Sequence, residues 1–170
     1  LGLAPQRIGE VYGIFKAYCT RVGSGPFPTE SHGEAGEELR KLGHEFGATT
    51  GRPRRCGWID LPALKYAIML NGATALIMTK SDVLSGFSEI GVCTHYETAE
   101  GLTDILPFDL ADAKPVIKMM PGWQQDLTGM SSAEQLPMEL KNYIAFLEAQ
   151  LEVPIKVVSV GPDRSQTLFR

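Results

Sequence analysis

The sequence predicts an α/β fold: a mostly parallel sheet flanked by helices. Two nearly continuous apolar runs, at residues 73–79 and 155–160, suit strands buried on both faces, as in a parallel sheet. Between them Leu136, Leu140, Tyr143, Ile144, Leu147 and Leu151 recur at helical spacing. Strand, helix and strand in alternation are the pattern of α/β layers.

The elements follow in chain order. Ile14, Lys16, Tyr18 and Thr20 alternate with Phe15, Ala17, Cys19 and Arg21, predicting one strand that the glycine and proline cluster at 23–28 ends. Residues 34–43 read as a short helix with Leu39 and Leu42 on its inner face. A loop at 47–57 follows. Asp60 is placed to cap a helix with Pro62 in its first turn, Leu61, Leu64 and Ile68 on one face, and Gly72 as its stop. After the first buried run, Ile90, Val92, Thr94 and Tyr96 alternate with more polar neighbours, predicting a half-exposed strand. The 136–151 helix has Pro137 near its start and Pro154 beyond its end.

Composition narrows the function. The 170 residues are 44% hydrophobic and 21% charged, ordinary for a single globular domain. A net charge of -4 argues against nucleic acid as a partner. Nothing approaches the ~20 apolar residues that span a bilayer, so no membrane partner is expected. Cys19, Cys56 and Cys93 form no Cys-x-x-Cys pair, and His32, His44 and His95 make no ligand spacing. All six read as structural, no metal site is expected, and free thiols suit a cytoplasmic compartment. The expectation for both ends is a cut: residues 1–5 lack an initiator methionine, and 167–170 stop within an extended segment.

Three loops carry the chemistry. Thr79-Lys80-Ser81-Asp82 directly follows a buried strand. Guanine offers two adjacent donors, N1–H and the 2-amino group, and one carboxylate accepts both. A lysine two residues earlier can lay its stem over the base. The same four residues also suit a helix cap or a surface turn. Ser159-Val160-Gly161 follows the second run, and its backbone N–H groups are candidates for the guanine 6-oxo group. Ligands of open α/β sheets bind at such carboxyl ends of strands. In the third loop, Ala48-Thr49-Thr50-Gly51-Arg52-Pro53-Arg54-Arg55, guanidinium forks match carboxylate and phosphate, though a solvated basic turn is the plain alternative. No Gly-x-x-x-x-Gly-Lys-Ser/Thr loop accompanies these signals.

Together with residues 21–30, 45–58 and 79–84, Met120-Pro121-Gly122-Trp123 and residues 159–164, this order and spacing resemble the C-terminal part of adenylosuccinate synthetase along essentially the whole chain. The resemblance implies a P-loop NTPase-like fold whose N-terminal part lies outside these residues, with 1–170 as a single C-terminal unit. It implies a magnesium-dependent ligase: GTP phosphorylates the 6-oxo group of inosine monophosphate, and aspartate displaces the phosphate to give adenylosuccinate on the way to AMP. Carried over by motif, Val22, Ala48, Thr49, Thr50, Gly51, Arg52, Pro53 and Arg54 would hold aspartate and the inosine nucleotide. Arg54, Lys80, Ser81, Asp82, Ser159, Val160 and Gly161 would hold GTP. No catalytic residue of the family falls in this chain, Mg2+ would be bound mainly by the other part, and the family is homodimeric. The expectation is therefore inactivity of these residues alone. Two alternatives stand beside it: a stand-alone guanine- or dicarboxylate-binding module without turnover, and a small GTPase, which the missing phosphate loop disfavours.

Overall fold

The computed structural model describes Gly2, Ala4 and residues 7–170. Its principal sheet contains β1 (Tyr12–Lys16), β5 (Ala75–Thr79), β9 (Ile155–Ser159) and β10 (Thr167–Phe169), in that order across the sheet. The first three are parallel and β10 is antiparallel to β9. The run at 73–79 is thus the inner strand it was expected to be, with Ala75, Leu76 and Met78 buried. A parallel neighbour on each edge pairs its backbone groups on both sides and makes it an inner strand of the sheet.

A second sheet is built on β6 (Glu89–Thr98), with β8 (Lys114–Pro121) antiparallel along one edge. Its other edge pairs with β4 (Ile59–Asp60) in parallel and β7 (Gly101–Thr103) in antiparallel. A separate antiparallel pair joins β2 (Cys19–Arg21) to β3 (Arg55–Gly57).

Among the described residues, three α-helices flank the sheets: α1 (Glu34–Leu42), α2 (Leu61–Asn71) and α3 (Met138–Leu151). Asp60 caps α2, its Oδ1 accepting from the Ala63 amide at 3.0 Å, and Gly72 ends it in the left-handed conformation at φ 60°. Leu140, Tyr143, Ile144, Leu147 and Leu151 bury the predicted face of α3, and the Tyr143 hydroxyl donates to the Ala17 carbonyl.

Three expectations are corrected. The alternation over 14–21 is not one strand, because Ala17 and Tyr18 are both buried and the chain leaves the sheet between them. The Ala17 amide makes a last bond to the Thr79 carbonyl, and Tyr18 then turns its hydroxyl onto buried Glu45. The β6 strand is not half-exposed: Ile90, Gly91, Val92 and Cys93 are all buried. The Trp58 ring lies so close over Gly91 that an added Cβ would sit 2.5 Å from it, and a bulge at 93–95 breaks the alternation. Finally, Leu39 is buried but Leu42, at the last turn of α1, is 43% exposed because it lines a cleft.

Candidate functional site

A cleft of about 430 Å³ opens at the carboxyl ends of β1, β5 and β9. Lys80, Asp82 and Val83 line it from one side, Ser159, Gly161 and Pro162 from another, and Leu42 and His44 close it from the end of α1. The two loops singled out after the buried strands therefore meet. Their junction is direct: the Ser81 hydroxyl donates to the Ser159 carbonyl at 2.5 Å.

Asp82 is the second residue of a tight 3-10 turn, Ser81–Gly86, with Lys80 just before it. Its carboxylate accepts no side-chain donor among the described residues, and burial raises its pKa against the opposing pull of Lys80 and nearby amides. Lys80 is held in the left-handed region at φ 64°, and its Nζ donates to the Gly43 carbonyl at 2.8 Å. His44, on the same cleft, also has positive φ, at 50°. Non-glycine residues in this region carry backbone strain of order 1 kcal/mol each, and such strain gathers at functional sites. The bond from Lys80 to Gly43 ties one positive-φ residue to the chain neighbour of the other, with Lys80 lining the cleft.

Of the 159–161 loop, Ser159 and Gly161 face the cleft. Val160 has its side chain in the core, and its amide donates to the Gln166 carbonyl at 2.9 Å. Its N–H is thus already bonded within the chain.

The arginine loop forms a second, smaller hollow of about 100 Å³, lined by Arg21, Val22, Gly23, Gly47, Thr50, Arg52, Pro53, Arg54 and Arg55. The loop is pinched shut at its base, where the Gly47 amide donates to the Arg52 carbonyl and the Gly51 amide to the Gly47 carbonyl, both at 2.8 Å. Gly51 takes φ 64° to allow the turn. Ala48, Thr49 and Thr50 are exposed at its tip.

The three arginines are not equivalent. Arg55 is bound to Glu30 at 2.5 and 2.9 Å and to the carbonyls of Gly23 and Gly25, so it fixes the loop beside Val22. Arg54 spends Nη1 on Glu45 at 2.7 Å, leaving the rest of its fork without an acceptor among the described residues. Arg52 is exposed, and its guanidinium has no acceptor among the described residues.

A family model described as adenylosuccinate synthetase matches residues 1–168. The chain belongs to the adenylosuccinate synthetase family. It is 58% identical to the adenylosuccinate synthetase of Cytophaga hutchinsonii over 173 residues and 57% identical to that of Phocaeicola vulgatus over 171, in each case covering 100% of this chain and 40% of the relative. The structure titled fully ligated adenylosuccinate synthetase from Plasmodium falciparum matches with a TM-score of 0.93 at 37% identity, over 100% of this chain and 42% of that one. The chain thus spans about 40% of the length of these relatives.

Within the adenylosuccinate synthetase frame, sequence reasoning missed several residues that line or brace the clefts. Leu42 and His44 line the cleft at the strand ends, at and just beyond the end of α1. Trp123 is buried and its indole N–H donates to the Ser81 carbonyl at 3.2 Å, bracing the turn that carries Asp82. Glu45 is 1% exposed and accepts from Lys16, Tyr18 and Arg54. Burial pushes its carboxyl up, but these three donors outweigh it and hold the pKa below its ordinary value. A carboxylate beside Phe46 and Gly47, just ahead of an arginine cluster, was the available signal.

A further hollow, about 640 Å³, lies between the β6–β7 turn and the 105–113 loop and shares no lining residue with either cleft. It gathers exposed Leu102, Ile105 and Phe108 beside Glu100, Asp109 and Asp112. Among the described residues no group of three or more His, Cys, Asp and Glu could hold a metal, and no helix is long and apolar enough to cross a membrane.

Proposed function

We propose that residues 1–170 form, as one unit, the C-terminal part of a GTP-dependent ligase that joins aspartate to inosine monophosphate, giving adenylosuccinate, GDP and phosphate. One observation supports it above the others: in a chain of this family, Asp82 presents a carboxylate without a side-chain partner in a cleft at the strand ends. Asp82 accepts from guanine N1–H and the 2-amino group. The Lys80 stem covers one face of the base, and Ser159 and Gly161 close the edge that carries the 6-oxo group. Val160 contributes by packing the loop. Arg54 reaches the nucleotide with the free part of its fork.

Arg52 holds the aspartate carboxylate, with Thr49, Thr50 and the amides of the pinched loop as further donors, and lies beside the inosine nucleotide. Val22 packs against that nucleotide. The work of these residues is to bind and orient, which lowers the barrier by fixing the reacting partners in place. The donor set of the described residues does not fit magnesium; in our proposal Mg2+ accompanies the GTP phosphates and is held by residues beyond these 170. A cytoplasmic homodimer completes the proposal, on family resemblance and on the free thiols of Cys19, Cys56 and Cys93.

The test is Asp82→Asn in the full-length protein. Asparagine cannot accept both guanine protons, but its carbonyl can accept from xanthine N1–H while its amide donates to the 2-oxo group. Hydrogen-bonding sites discriminate by up to ~10⁴ when mismatched. The expected result is a reversal of kcat/KM in favour of xanthosine triphosphate over GTP. A folded variant that still prefers GTP returns Asp82 to the role of a turn residue.

A further inference from the structure

We infer that Glu45 is a positioning residue that presets Arg54 for the nucleotide and ties the arginine loop to the guanine-side cleft. Its buried carboxylate bonds a lining residue of each of two clefts that have no lining residue in common. Oε2 accepts from Arg54 Nη1 at 2.7 Å, and Arg54 lines the arginine hollow. Oε1 accepts from Lys16 Nζ at 2.8 Å and from the Tyr18 hydroxyl at 2.7 Å, and Lys16 lines the other cleft.

The backbone repeats the link. The Arg54 amide donates to the Glu45 carbonyl at 2.9 Å, and the Glu45 amide to the Arg40 carbonyl at 2.9 Å. Arg40 Nε closes the circuit on the Arg54 carbonyl at 2.8 Å. Arg54 is therefore gripped at its amide, its carbonyl and one guanidinium nitrogen. Only the remainder of its planar fork is offered outward. A bidentate fork loses less freedom per bond when it is held in advance.

Charge separates positioning from simple neutralisation. Lys16 and Arg54 bring two positive charges to one carboxylate. Replacing Glu45 by glutamine keeps the volume but removes the negative charge. If Glu45 only dampened the local positive field, an anion such as GTP would bind more tightly to the variant. If Glu45 orients Arg54, GTP binds less tightly despite the added positive charge. The two roles predict opposite signs.

The experiment uses the full-length protein, with GTP as the varied substrate and adenylosuccinate formation as the readout. It rests on the nucleotide role proposed above for Arg54, so Arg54→Met is measured alongside. Glu45→Gln is expected to raise the GTP KM about tenfold, comparable to losing a bond to a charged group, with kcat changed far less. Glu45→Gln and Arg54→Met should be non-additive, as expected for residues acting through one contact. Tyr18→Phe, which leaves both charges and the Arg54 bond, should lower thermal stability without moving the GTP KM. If Arg54→Met raises the GTP KM but folded Glu45→Gln leaves it unchanged or lowers it, Glu45 is not a positioning residue and the nucleotide role of Arg54 stands. If Arg54→Met leaves the GTP KM unchanged, that role fails and the inference falls with it. Should Glu45→Gln fail to fold, Glu45→Asp takes its place: the charge remains but the reach shortens by one methylene. An unchanged GTP KM in the aspartate variant overturns the inference as well.

Discussion

Each arginine of the cluster has a different job, which chemical identity alone does not reveal. Arg52 faces solvent, so Arg52→Leu is expected to fold normally. Removing a hydrogen bond to a charged group costs about 1.5–3 kcal/mol. In the full-length protein the aspartate KM should therefore rise by one to two decades while the GTP KM stays near normal. Unchanged aspartate kinetics would make Arg52 a solvated turn residue. Arg55 is structural, and its pairing with Glu30 is pH-sensitive. The hydrogen bond from Arg55 holds the Glu30 carboxyl below its ordinary 4.5, so the pair's contribution is full above that value and is lost as pH falls through the lowered pKa. Glu30→Gln should cost about 1 kcal/mol at pH 7, as expected of a partly exposed pair. That difference should shrink toward zero on acidification, because the wild-type carboxyl is then neutral too. Urea unfolding at several pH values measures it, and a difference that persists in acid would show the effect is not ionic.

At the scale of elements, local stop and start signals were the most legible. Asp60, Pro62 and Gly72 delimit α2 as the sequence indicates, because capping is a contact between near neighbours. Asp60 also does something no local pattern reveals, accepting from the buried Tyr96 hydroxyl of β6. Asp60→Ala removes the cap and leaves that hydroxyl unpaired, for an expected loss of about 2 kcal/mol. Asp60→Asn keeps an acceptor in place and should lose little. Equal losses in thermal or urea denaturation would exclude the capping explanation. The 14–21 alternation misled because its break depends on Glu45, distant in sequence, drawing Tyr18 inward. The burial of β6 depends on β8 and on Trp58, also distant. The 79–82 and 159–161 loops were legible because each sits at the end of its own apolar run, yet their union through Ser81 and Ser159 was not. Trp123 belongs to the same class of long-range brace. Trp123→Phe keeps an aromatic ring against Tyr143, 5.5 Å away between centroids, but drops the bond to the Ser81 carbonyl. A net hydrogen bond is worth about 0.5–1.5 kcal/mol, so a GTP KM raised by up to about tenfold is expected in the full-length protein. No change would mean that packing alone fixes the turn.

At the scale of the molecule, the proposed function separates recognition from reaction. The 170 residues carry a cleft at the strand ends and an arginine-lined hollow, braced to each other through Glu45. Phosphoryl transfer further requires donors aimed at the charge that develops on the transferring group, usually the largest catalytic contribution. The sequence of these residues contains no Gly-x-x-x-x-Gly-Lys-Ser/Thr loop to supply them. Residues 1–170 alone are therefore expected to form no adenylosuccinate from GTP, aspartate and inosine monophosphate with magnesium, followed by absorbance. Binding adds a sharper criterion. If the chain grips mainly the base, guanosine and GTP should bind within about tenfold of one another, because Arg54 and Lys16 offer the triphosphate only partly exposed charge that salt screens. Adenosine, which lacks the paired donors that Asp82 accepts, should bind far more weakly than guanosine. Calorimetry on the isolated, folded chain distinguishes these cases. Guanosine preference without turnover fits recognition here and chemistry elsewhere. Turnover at the rate of an intact synthetase would mean that these residues hold catalytic groups of their own, and the division proposed between binding and chemistry would fail.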